Sequence, residues 1–157
     1  SHNNKDRSFH YLPYRTDSGF EQTFLKEVLS FDEIEKFGLE MYYNGDRAMT
    51  EFKIKCYKQK GNKWSYIGVY TPDFLIIKRK DGKIHKVIIV ETKGEIYAKD
   101  PTFKDKKTFM ETEFSKQNNA IYGYERFDYL YLEDTLSEKE RISLTHTKIC
   151  EFFKENQ

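Results

Sequence analysis

Cysteine, proline and tryptophan are scarce in this 157-residue chain, with two, three and one of each. Cys56 and Cys150 lie far apart and outside any CxxC or Cys/His spacing, which leaves no disulfide framework and no zinc motif to read. Both read as reduced, buried thiols of a cytoplasmic protein. No apolar run approaches the roughly 20 residues that span a bilayer, and no secretory signal opens the sequence, so no membrane partner is expected. Charge of one sign is missing too. The 27 basic and 26 acidic side chains leave +1, so any nucleic-acid face must come from local clustering. His2, His10, His85 and His146 are scattered and form no recognisable metal or nucleophile motif.

Aromatics are plentiful instead. Thirteen Phe and twelve Tyr let a chain of low mean hydropathy build a core, and the length suits one domain over residues 1–157. Residues 1–14 read as a loose arm, and the Ser1-His2 start reads as that of an excised fragment.

The informative stretch is residues 70–94, YTPDFLIIKRKDGKIHKVIIVETKG. Asp81-Gly82 between two apolar runs is a hairpin signal, because glycine accepts positive φ without steric cost. Folding about residues 81–83 sets Asp73 opposite Glu91, where cross-strand Cβ atoms stand about 4.5–5.5 Å apart. Alternation puts Glu91 and Lys93 on one face and turns Thr92 away, leaving only its backbone carbonyl near the spot. Two carboxylates so close require either a raised pKa or a cation. A divalent metal is the simplest answer. Mg²⁺ takes hard oxygen ligands, commonly one or two carboxylates with water and substrate phosphates, and Mn²⁺ can substitute. Such a site suits phosphodiester hydrolysis, with Lys93 orienting the nucleophile or stabilising developing charge.

Pro72-Asp73 opening one apolar strand, and Glu91-Thr92-Lys93-Gly94 closing the next, resemble the PD-(D/E)xK nuclease motif. The order of FHYLPYRTDSGFEQTFLKEVL, a basic β-meander, YTPDFLI and KVIIVETKGE further resembles the C-terminal endonuclease domain of the restriction subunit of type III restriction-modification enzymes. That resemblance implies a restriction-endonuclease-like α/β (α+β) fold, a central mixed sheet with a meander and flanking helices. It implies Asp73 and Glu91 as metal ligands, Lys93 as catalytic lysine, DNA as substrate and Mg²⁺ as cofactor. Glu21, on a helix ahead of the sheet, matches the acidic residue that often completes the metal site in this fold; otherwise it favours the helix N-terminus electrostatically. The resemblance also implies a helicase-like ATPase region in the same parent chain and a separate modification (methyltransferase) subunit. No GxxxxGK(S/T) phosphate loop occurs here, so this stretch cannot hydrolyse ATP by that route. A non-catalytic DNA-binding or docking module on the same fold, and a nuclease acting on RNA or in repair, are the other readings.

Elsewhere the pattern is coarser. Residues 20–29 are helical in period, capped by Asp17 or Ser18; residues 39–45 read as a strand or irregular edge; residues 51–58 and 64–70 form a hairpin about Gly61-Asn62. Lys53, Lys55, Lys58, Lys60 and Lys63 cluster on that hairpin, and Lys78, Arg79, Lys80, Lys83 and Lys86 near the next turn. Such lysines protect edges and confer solubility, or together track phosphates at the rim of a cleft. Residues 99–107 read as a DNA-contacting loop or a solvated linker. Residues 107–124 read as a crossover helix, with Lys116-Gln117 in the place where related nucleases often carry a polar residue near the DNA backbone. A strand at 127–132, parallel to the one ending at Glu91, and a terminal helix at 147–156 complete the reading.

Overall fold

The computed structural model describes residues 19–43, 53–92, 99–133 and 135–154, with side chains in the first helix described from Thr23 onward. The fold is built about the Asp81-Gly82 turn. Both residues take positive φ, 54° and 77°, the left-handed pair that matches a two-residue hairpin to the twist of its strands. Strand β4 (Phe74–Lys80) and strand β5 (Lys83–Glu91) run antiparallel from this turn, with an irregularity between Lys78 and Arg79. Strand β1 (Leu39–Tyr43) pairs antiparallel with the outer side of β4, and strand β6 (Phe127–Tyr131) pairs parallel with β5. The sheet order is β1-β4-β5-β6, so the two strands that lead to Asp73 and Glu91 are the central pair. The architecture is mixed α+β.

Alternation along β4 and β5 divides the core in two. Phe74, Ile76, Ile88 and Val90 face helix α1 (Gly19–Leu29), helix α2 (Asp32–Lys36) and the C-terminal helix, meeting Phe24, Leu25, Ile34 and Phe153. Leu75, Ile77, Val87 and Ile89 face the other way, onto Ile54, Cys56, Phe103 and Met110. Because both faces are covered, residues 87–90 form an unbroken buried run, each side chain stabilising the fold by about 1.5–3 kcal/mol relative to exposure.

Three expectations need correction. The hairpin of strand β2 (Ile54–Lys60) and strand β3 (Lys63–Tyr70) is a separate two-stranded sheet packed over the main one, not a meander continuous with it. The charged stretch after Lys99 is helix α3 (Pro101–Phe109), neither loop nor linker. Asp100 accepts a hydrogen bond from the Thr102 N–H and Pro101 occupies the first turn, so Asp-Pro starts the helix while Phe103 and Phe109 bury beneath the charges. A π-helical turn (Met110–Phe114) joins α3 to helix α4 (Ser115–Tyr122), which ends at Gly123 with φ of 78°. The last helix, α5 (Glu138–Phe152), begins nine residues before the expected 147, because Ser137 caps it by accepting from the Glu140 N–H. The arm at 1–14 and the caps Asp17 and Ser18 lie outside the described residues. No helix among the described residues is long and apolar enough to cross a membrane.

Candidate active site

The β4–β5 register runs Phe74↔Val90, and one further step sets Asp73 across from Glu91. Glu91 is completely buried and Asp73 is 9 % exposed. Thr92 ties the strand ends together: its N–H donates to Asp73 Oδ2 at 3.0 Å and to Glu91 Oε1 at 3.2 Å, and its hydroxyl donates to Asp73 Oδ2 at 2.8 Å. The expected turning away of the Thr92 side chain is therefore wrong. Strand β5 ends at Glu91, and beyond the end of the ladder the alternation of faces no longer governs the next side chain.

Tyr70, at the end of β3, completes the enclosure. Its hydroxyl donates to Glu91 Oε2 at 2.5 Å and stands 3.2 Å from the Tyr129 hydroxyl, with the two rings edge to face. Burial, then the charge of Glu91, pushes the Tyr70 phenol well above its ordinary pKa, and burial likewise raises that of Tyr129. Both phenols stay protonated, so Tyr70 is a permanent donor to the carboxylate. Sequence reasoning missed Tyr70 and Tyr129. The signal was a tyrosine placed where an apolar side chain would suffice, since a buried phenol needs a hydroxyl partner.

Asp73 and Glu91 offer the hard oxygen donors that Mg²⁺ takes. The two hydrogen bonds from Thr92 to Asp73 both fall on Oδ2. The donor set thus fits such an ion. Lys93 and the side chain of Glu21 lie outside the described residues. The buried residues of α1, Phe24, Leu25 and Val28, pack on the sheet face opposite the one that Tyr70 covers.

The basic clusters divide. Lys80 lies about 23 Å along the strand from Asp73 at about 3.3 Å per residue, so the cluster near the second turn does not rim the acidic pair. Arg79 donates instead to Glu40 at 2.6 Å and to the Tyr42 hydroxyl at 2.8 Å, and Lys86 donates to the Phe152 carbonyl at 2.8 Å. On the first hairpin Lys58 pairs with Asp105 at 3.2 Å, while Lys53 and Lys55 flank Ile54, the partner of Tyr70. Lys116 and Gln117 are exposed on α4; Gln117 lines a cavity of about 200 Å³ with Tyr57, Trp64 and Phe109, and donates to Glu113. The following turn is bound to Phe127 through Asn119, four residues up β6 from the Tyr131 that stands beside Glu91.

No family model, curated protein or solved structure matches this chain.

Proposed function

We propose that this chain is a Mg²⁺-dependent DNA endonuclease domain of the PD-(D/E)xK kind, the nuclease part of a type III restriction enzyme. The observation that carries the reading is the cross-strand pairing of Asp73 with Glu91 at the buried ends of the two central strands, bound together through Thr92. Asp73 and Glu91 would hold the ion, with the Thr92 carbonyl and Glu21 as further ligands by resemblance. A bound Mg²⁺ supplies a water of lowered pKa and offsets charge on the phosphoryl oxygens. Tyr70 holds the Glu91 carboxylate and Thr92 holds Asp73, so both carboxylates would be preorganised for an arriving phosphate. Lys93 would stabilise the developing negative charge. The parent enzyme would add a helicase-like motor and a modification subunit that supplies site recognition.

One observation favours a second reading. Both Glu91 oxygens already accept from the protein, Oε1 from the Thr92 N–H and Oε2 from the Tyr70 hydroxyl, which suits a polar staple in a non-catalytic DNA-binding or docking module. Incubation with supercoiled plasmid and Mg²⁺ separates the two. Nicking by the wild type that is lost in Asp73→Asn, which keeps the acceptor for Thr92 and removes the charge, supports the nuclease; equal nicking by both proteins overturns the assignment.

A further inference from the structure

On the sheet face opposite the acidic pair, α2 meets α5 through three side chains of different donor chemistry. His146 and Cys150 stand four residues apart on α5, one turn above the other, and Glu33 reaches them from α2. The His146 ring donates from Nε2 to Glu33 Oε1 at 2.7 Å, and Cys150 Sγ lies 3.8 Å from Nε2 and 4.0 Å from Nδ1. One donor atom from each residue falls within 4.8 Å of the others. Phe31 packs edge-on against the imidazole at 5.0 Å between ring centres.

We propose that Glu33, His146 and Cys150 form a Zn²⁺ site that clamps α2 to α5, with water in the fourth position. The donor set of one thiolate, one imidazole and one carboxylate is that of a borderline-soft ion, unlike the all-oxygen set at Asp73 and Glu91. A tetrahedral zinc with Zn–S of about 2.3 Å and Zn–N of about 2.0–2.1 Å holds sulfur and nitrogen about 3.6 Å apart, close to the 3.8 Å between Sγ and Nε2. Sγ stands nearly as far from Nδ1, at 4.0 Å, so the imidazole turns on binding to aim the Nε2 lone pair at the metal. The Glu33 to His146 contact must open by about 0.6 Å, to the roughly 3.3 Å that the same bond lengths set between nitrogen and oxygen. On binding, the Cys150 thiol loses its proton to solvent as sulfur bonds the metal. The neutral His146 ring moves its single proton from Nε2 to Nδ1 by exchange with solvent and presents the Nε2 lone pair, so the net release on binding is the one Cys150 proton. Nothing is oxidised or reduced. The site does not depend on the nuclease reading.

Co²⁺ is the probe, since thiolate ligation gives a sulfur-to-cobalt charge-transfer band that oxygen-only sites lack. Titrating the 157-residue chain should raise this band to saturation at one Co²⁺ per chain, and one equivalent of Zn²⁺ should displace it. Cys150→Ser should abolish the band, whereas Cys56→Ser and Asp73→Asn should leave it intact. His146→Asn, which retains the thiol, should weaken binding by more than the roughly 10–100-fold that loss of an outer partner costs. Circular dichroism and metal-free melting of each variant establish that it folds. Absence of the band in a folded wild type, its persistence in Cys150→Ser, or its loss in Cys56→Ser would overturn the proposal.

Discussion

Tyr70 and Glu91 are joined by a 2.5 Å hydrogen bond from the phenol to Oε2, in a place where the carboxylate has no exposure to water. A charged group so placed depends on its donors, because a buried carboxylate that loses one cannot replace it from solvent. Tyr70→Phe should therefore destabilise the chain by about 1.5–3 kcal/mol, the range for hydrogen bonds to charged groups, and should weaken metal binding by freeing Glu91 to reorient. Urea denaturation of wild type and variant checks the first effect. An unchanged midpoint would contradict it.

Thr92→Val tests the other half of the bracket. The N–H bond to Asp73 Oδ2 survives and the 2.8 Å hydroxyl bond is lost, at a cost of about 1 kcal/mol. Thr92→Ser, which keeps the hydroxyl, should recover most of that stability in the same denaturation assay.

Gly68 occupies φ of 121° where the β2–β3 ladder slips, Cys56 facing Gly68 and Tyr57 facing Tyr66. A Cβ there would also come within 3.3 Å of the Lys106 side chain. Gly68→Ala should cost about 1–3 kcal/mol, where the same change at an unstrained site would stabilise, since the backbone cannot keep this φ without strain. Thermal melting should register the loss. A variant as stable as the wild type would show that the strand can relax.

Burial raises the Cys56 thiol from 9.0 to about 11. An acid whose pKa rises on folding holds its proton more tightly in the folded chain. The stability it contributes is complete below the unfolded value and falls as pH climbs through 9.0 towards about 11. Cys56 should resist alkylation at neutral pH while the part-exposed Cys150 reacts, which peptide mapping after brief iodoacetamide treatment would show. Preferential labelling of Cys56 would contradict the buried environment.

The hairpin, the central place of β5, its parallel partner and the approach of Asp73 to Glu91 were all legible in residues 70–131, because turn chemistry and period-two patterning agree there. What escaped was set by contacts distant in sequence. Nothing local says that β2 and β3 leave the main sheet, or that Tyr70 reaches across 21 residues to Glu91. The starts of α3 and α5 were written in Asp100-Pro101 and Ser137, but charged surfaces masked the buried Phe103 and Thr145 that make those segments helical layers. Both cysteines are free, as expected, but Cys150 is only part-buried, because it sits on α5 beside His146 at the edge of the core. The His146-x₃-Cys150 spacing becomes informative once the helix runs through both, and Glu33 joins them only in the folded chain.

The central claim is a metal ion held between Asp73 and Glu91, and calorimetric titration with Mn²⁺ tests it most directly. The account predicts that Mn²⁺ binds the wild type, that Mg²⁺ competes for the site, and that Asp73→Asn loses the binding while still melting cooperatively. Equal Mn²⁺ binding by both proteins, or none by a folded wild type, would contradict it.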